Sequence, residues 1–354
     1  MAACPKKPRF RATACRGSGR PEAALAPALA AALAMALPSG ASTLSADPPA
    51  LSAGSRATAH ASANDGATAD DVATDPSASA RLPRAGAPVV KALAARELAK
   101  PPKYTQGLFF LGDLLYESSG LYGRSQLNVW KAAGDSLVLA AGVCLPENVF
   151  AEGAALALGA VTVLTWRENL AMRFTPELEH TDRAFFAGQG WGLAWDGERL
   201  WRSDGSNRLQ AHDPLNFGAA GPPLAVTDAG IPVSLLNELE YDPGTGLLLA
   251  NVYQTDRVAA IDPATGDVSF WLDFAAIAAP VRSRLKTSDT VLNGLAIDSE
   301  GRLYATGKMW DRIFQVEYSL PQGIGSRDPP PSEASDPPVF PERLKAGCPV
   351  GPVP

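Results

Sequence analysis

A repeated strand pattern constrains this chain more than any single element. Units that cannot bury their apolar faces alone must stack on copies of themselves. Five segments share the pattern: Gln106-Gly-Leu-Phe-Phe-Leu-Gly-Asp-Leu-Leu-Tyr, Glu152-Gly-Ala-Ala-Leu-Ala-Leu-Gly-Ala-Val-Thr-Val-Leu, Trp191-Gly-Leu-Ala-Trp-Asp-Gly-Glu-Arg-Leu-Trp, Asn237-Glu-Leu-Glu-Tyr-Asp-Pro-Gly-Thr-Gly-Leu-Leu-Leu and Asn293-Gly-Leu-Ala-Ile-Asp-Ser-Glu-Gly-Arg-Leu-Tyr. Their first residues are 46, 39, 46 and 56 positions apart. In each, an apolar run meets a Gly- or Asp-containing turn and then a second apolar run, which is the pattern of a tight β-hairpin. A third strand follows in several units and ends at Asp213-Pro214, Asp262-Pro263 or Glu317. Units of about 40–50 residues with three or four strands each are propeller blades. The expected fold is therefore all-β: a five-bladed β-propeller over residues 85–320, with disordered N-terminal and C-terminal extensions. The last unit ends near Ser319 without a fourth strand, and Pro88-Val-Val-Lys-Ala-Leu is placed to supply one and close the ring.

The ends of the chain read differently from this middle. All seven Trp lie between Trp130 and Trp310. The first 22 residues set six Lys and Arg against Glu22 alone, and the Ala/Leu run Ala23–Leu37 follows. These are the n-region and h-region of a signal peptide, taken here as residues 1–46. A secreted or periplasmic location is expected; the Arg-rich, acid-poor start also fits a transit peptide to an organelle lumen. The apolar run is too short for a span, so the mature chain should cross no membrane. Residues 47–84 carry almost no large apolar side chain and are expected to be a disordered linker. Residues 321–354, with Pro329-Pro330-Pro331 and Pro337-Pro338, read as a Pro-rich disordered tail. Cys4 and Cys15 would leave with the leader; Cys144 and Cys348 remain and are expected to be separate thiols, not a bridge. Formal net charge is -6, and without residues 1–46 it becomes -11. An acidic chain without basic runs argues against nucleic-acid binding. A monomer is expected.

Blade geometry turns the repeat into a site. Equivalent positions of the innermost strands fall on one ring around the channel, so Gln106, Glu152, Trp191, Asn237 and Asn293 should converge. A second ring follows from aligning the later strands: Tyr122, Trp166, Asp204, Tyr253 and Lys308. Together they give one carboxylate among amides, indole rings and a lysine, an aromatic-walled pocket with few polar groups. Asp204 reads as a turn residue, Asn293 as a bridge between backbones, and Glu117 and Glu168 as structural. His60, His180 and His212 fall outside both rings, so a His-based zinc site is not expected.

Twelve stretches, in order, carry a family resemblance. They are Tyr-Thr-Gln-Gly-Leu at 104–108, Leu-Tyr-Glu-Ser-Ser-Gly-Leu-Tyr-Gly at 115–123, Phe-Ala-Glu-Gly at 150–153, Leu-Thr-Trp-Arg-Glu at 164–168, Gly-Trp-Gly-Leu at 190–193 and Ser-Asp-Gly-Ser at 203–206. Further on come Val-Thr-Asp at 226–228 with Pro-Val at 232–233, Leu-Asn-Glu-Leu-Glu-Tyr at 236–241, Ala-Asn-Val at 250–252, Gln-Thr-Asp-Arg at 254–257, Leu-Asn-Gly at 292–294 and Thr-Gly-Lys-Met-Trp at 306–310. Lys103–Val316 thereby resembles the plant and bacterial type of glutaminyl-peptide cyclotransferase, a five-bladed propeller family. The resemblance implies an enzyme that closes the N-terminal Gln of peptides and proteins to pyroglutamate with release of ammonia. It puts the catalytic acid on Glu152 and pocket residues on Gln106, Phe150, Trp166, Trp191, Asn237 and Lys308, with Tyr104 at an aromatic position; Lys308 is the expected second catalytic group. It implies no cofactor and no metal. Two positions depart from the family pattern: Tyr253 stands where Trp is usual, and Gln189 where Glu is frequent. Tyr253 keeps an aromatic wall and adds a hydroxyl.

Two other functions use the same residues. A metal-dependent lactonase-type propeller would ligate a divalent cation through Glu152, Asn237 and Asn293, but offers few carboxylates and a Trp in a ligand slot. A non-catalytic propeller would hold a peptide in the aromatic mouth.

Overall fold

The computed structural model describes residues 86–286, 289–325 and 337–348. The leader, the linker and the domain boundaries expected before residue 86 lie outside the described residues. Among those described, no helix is long and apolar enough to cross a membrane.

The strands of each repeat unit pair antiparallel with one another. Blade 1 is β3 (Thr105–Leu111), β4 (Leu114–Ser119), β5 (Gln126–Ala133) and β6 (Ser136–Cys144), and blade 2 is β7 (Ala151–Ala157), β8 (Ala160–Thr165), β9 (Leu170–Phe174) and β10 (His180–Phe185). Blade 3 is β11 (Leu193–Trp195), β12 (Leu200–Arg202), β13 (Arg208–His212) and β14 (Leu224–Ala225); a small hairpin, β15 (Thr227–Asp228) and β16 (Ile231–Pro232), follows it. Blade 4 is β17 (Leu236–Asp242), β18 (Leu247–Val252), β19 (Arg257–Ile261) and β20 (Val268–Asp273). Blade 5 has β21 (Leu292–Ile297), β22 (Leu303–Gly307) and β23 (Arg312–Glu317). The long 56-residue offset before blade 5 is explained by helix α1 (Ala275–Leu285), which packs Ile277, Ala278 and Val281 between blades 4 and 5.

The innermost strands touch in the order β3, β7, β11, β17, β21 and back to β3, so the ring is closed and five-bladed. A separate apolar cluster fills each blade-to-blade interface. This is why a strand such as β18 is buried on both faces along its whole length. Near the axis the strands come so close that the residue after the repeat's leader is glycine in four units. A Cβ added to Gly107, Gly153 or Gly192 would lie 2.3, 2.5 or 2.1 Å from a neighbouring strand's backbone. Blade 4 breaks the rule with Glu238. Its side chain crosses to blade 5 and accepts the Leu295 N–H at 2.9 Å, and burial pushes its carboxyl well above the usual range.

Closure differs in detail from the expectation. Pro88-Val-Val-Lys-Ala-Leu does not complete blade 5. Instead β1 (Val89–Lys91) adds to the outer edge of blade 4, parallel to β20, and β2 (Leu93–Ala99) pairs antiparallel with β23 as the fourth strand of blade 5. Ala92 is the pivot: it is fully buried between blades 4 and 5, and its N–H donates to Asp273 O at 3.0 Å.

The tail and cysteine expectations are corrected for the described part of the tail. Residues 337–348 pack on the propeller: Phe340 and Leu344, the latter on helix α2 (Glu342–Lys345), sit against the cluster between blades 1 and 2. Cys348 is bonded to Cys144 at the end of β6, with Cα atoms 5.6 Å apart and 204 residues between them in sequence. Composition alone made the tail look unable to bury surface, but two apolar side chains and one covalent bond suffice when the partner surface is already folded.

Candidate active site

The innermost strands present the site through a shared irregularity. The pairing of β3 with β4, β7 with β8, β17 with β18 and β21 with β22 slips at Gln106, Glu152, Asn237 and Asn293 respectively. A bulge of this kind turns a side chain out of the pleat and re-aims it. Second-strand ends complete the pocket, with Trp166 just past β8, Tyr253 just past β18 and Lys308 just past β22.

One pocket is lined by Tyr104, Gln106, Phe150, Glu152, Trp166, Trp191, Asn237, Tyr253 and Lys308, so all nine side chains expected at the site meet. Glu152 is 6% exposed, and one of its oxygens accepts the Gln106 Nε2–H at 3.1 Å. Burial pushes its carboxyl well above the usual range; Lys308 pulls back down and Glu168 adds a smaller upward push. Burial lowers the Lys308 ammonium, against the pull of Glu152 and Asp289. Its Nζ lies 5.0 Å from the ring centroids of both Tyr104 and Tyr253, a cation held between two π faces. Each of the two groups is thus moved toward neutrality by the same dry wall.

The wall is a chain of edge-to-face rings. Tyr104 meets Phe150 at 6.1 Å, Phe150 meets Trp166 at 5.5 Å, and Trp191 meets Tyr253 at 5.8 Å. Gln189, known from the sequence only as a departure from the family pattern, fixes two of these rings. Its Oε1 accepts both the Trp166 and the Trp191 indole N–H, at 2.8 and 2.9 Å. No periodicity marks it, because it sits in the loop between blades 2 and 3. Arg202 in turn donates to the Gln189 carbonyl and, at 3.1 Å, to His212, a buried blade residue.

The remaining candidates lie outside the lining. Tyr122 stands at the rim, edge-on to Phe150, and its hydroxyl donates to Glu168 at 2.8 Å. Asp204 caps its own turn by accepting from Ser206. Asn293 bridges strands, donating to Thr105 O at 2.9 Å. Of the three oxygen ligands that the lactonase-type reading needs, Glu152 and Asn237 line the pocket and Asn293 does not. Among the described residues no group of three or more His, Cys, Asp and Glu side chains is arranged to hold a metal ion.

The chain is 33% identical over 224 residues, 61% of its length, to a glutaminyl-peptide cyclotransferase of Arabidopsis thaliana, covering 68% of that relative. The crystal structure of Myxococcus xanthus glutaminyl cyclase superposes with a TM-score of 0.61 at 31% identity, over 69% of this chain and 100% of that one. Residues 66–318 match the sequence model of the glutamine cyclotransferases. The shared fold, the aromatic pocket around one acid and these matches agree: the chain belongs to the glutamine cyclotransferase family.

Proposed function

We propose that this glutaminyl-peptide cyclotransferase acts on peptide and protein N-termini bearing Gln, with Glu152 as the group that moves the proton. The observation that carries the reading is a lone buried carboxyl, bonded to Gln106 and enclosed by Phe150, Trp166 and Trp191. The substrate's α-amine attacks the carbon of its own γ-carboxamide, the new C–N bond closes a five-membered lactam, and the old C–N bond breaks to release ammonia. An α-amine titrates near 8, so a neutral fraction is present at pH 7. Glu152 takes the proton from the attacking nitrogen and returns it to the departing one. Its raised pKa brings the carboxyl closer to the working range in which both transfers are feasible. Lys308 stabilises the oxyanion of the tetrahedral intermediate. Tyr104, Phe150, Trp166, Trp191 and Tyr253 hold the bent conformer, and orientation of this kind is worth several kcal/mol. Gln106 is turned to Glu152, which leaves Asn237 to read the substrate's amide or backbone carbonyl.

The test is a peptide with N-terminal Gln, followed by mass spectrometry for loss of one ammonia. No conversion, or conversion equal to that of Glu152→Gln, sinks this assignment. Export of a monomeric chain is part of the proposal. The leader-like start supports export, and so does the Cys144–Cys348 disulfide, since such bonds persist in oxidising compartments.

A further inference from the structure

Asn293 lies beside the pocket without lining it, yet its bonds have a fixed polarity. Asn293 Nδ2 donates to Thr105 O at 2.9 Å, and a main-chain carbonyl can only accept. That end of the amide is therefore its NH2. The same Nδ2 faces the Gln106 side chain at 3.4 Å, where only an oxygen can receive it. Gln106 must then present its Oε1 to Asn293 and its Nε2 to Glu152, at 3.1 Å. Asn293 and Gln106 are 0% and 2% exposed, so both amides are held chiefly by protein partners. One backbone oxygen thus dictates the direction of three side chains in series.

We propose that Asn293 is a positioning residue: by forbidding the flip of the Gln106 amide, it reserves one Glu152 oxygen as an acceptor and leaves the other to exchange the proton with substrate. This rests on the role given above to Glu152. A flipped Gln106 would aim its carbonyl at the carboxyl and bind only the protonated acid. The unflipped amide favours the ionised acid and keeps any proton on the pocket-facing oxygen. Asn293 Oδ1 is buried without a hydrogen-bond partner, a cost to stability that a bridge chosen for stability alone would not carry.

The other groups acting on Glu152 are Lys308 from blade 5, Glu168 from blade 2 and Tyr122 from blade 1, with Tyr104 and Tyr253 lining the same pocket and Asp289 acting on Lys308. The test is the pH profile of kcat/KM for a Gln peptide, with the full chain and its Asn293→Ala variant. Loss of the enforced N–H donor should move the acid limb to higher pH and lower kcat/KM at neutral pH about tenfold, the worth of one charge-assisted hydrogen bond. In a Gln106→Leu background the same change should leave the limb in place, since no amide remains to be turned. Melting temperature is followed in parallel. Should Asn293→Ala fail to fold, Asn293→Ser, which keeps a hydroxyl but is too short to reach Gln106, takes its place. A limb that stays put, or that moves equally in both backgrounds, overturns the positioning role alone; a wild-type chain inert toward the peptide overturns the functional reading with it.

Discussion

Two buried carboxylates, Glu117 and Glu152, lie one blade apart and have opposite surroundings. Glu117 is fully buried on β4 and accepts three hydrogen bonds, from Lys100 Nζ at 2.9 Å, the Thr105 hydroxyl at 2.5 Å and the Trp130 indole N–H at 2.8 Å. Its nearest cation is bonded to it. Among the described residues the Glu152 carboxyl has one hydrogen bond, from Gln106, and no salt bridge within 4.0 Å, and a cavity lies in front of it. The cation that acts on it, Lys308, lies over two tyrosine rings instead. A buried acid bonded to a cation and two further donors is a strut, since its charge is already balanced. A buried acid left short of partners beside a cavity is a reagent, because the incoming molecule supplies what the protein withholds.

The largest expected effect is a crossover between the two. Glu152→Gln should lower kcat about a thousandfold with little change in melting temperature. Glu117→Gln should destabilise the fold by about 3–5 kcal/mol, because it strands Lys100, while the folded fraction turns over at nearly the wild-type rate. Equal losses of activity in both would erase the distinction. The second effect is on pH. Glu152 must be ionised to accept a proton, and its raised pKa places the acid limb of kcat/KM above the ordinary carboxylate range. Lys308 holds that pKa down, so Lys308→Met should shift the limb to still higher pH; a shift downward would mean that Lys308 acts on another group. A smaller effect belongs to Gln189. Gln189→Leu frees two indoles and should raise KM about fivefold with kcat less affected, whereas Gln189→Glu, which keeps an acceptor for both, should stay near wild type on KM. The smallest effect on turnover is that of Cys348→Ser. It should remove about 3 kcal/mol of stability and leave kcat/KM unchanged; a change in kcat/KM would tie the tail to the site.

The two carboxylates also mark how far the sequence could be read. Glu152 was legible because it leads a repeat unit, and four of the five residues in that slot, Gln106, Glu152, Trp191 and Asn237, line the pocket. Trp166, Tyr253 and Lys308 followed from the second register in the same way. Glu117 occupies no such slot, and its bonds reach to Lys100, just past β2, and to Trp130 on β5, so only its structural character could be expected. Gln189 acts from a loop between blades, where no period applies. The Cys144–Cys348 bond joins the end of blade 1 to the tail across 204 residues, and two cysteines so far apart in sequence carry no spacing signal. The split of residues 89–99 between two blades was hidden because a single residue, Ala92, separates β1 from β2 and no turn signal marks the change of blade.

That split has a consequence for how the molecule is made. Of the described strands β2 is among the first synthesised, and its partner β23 is the last of the ring. Until residue 317 has emerged from the ribosome, β2 has no β23 to pair with, blade 5 is incomplete, and the nascent chain carries open edges that invite mispairing. Everything between must be tolerated as an unfinished toroid, and the pocket, whose lysine comes from the final blade, does not exist before the two ends meet.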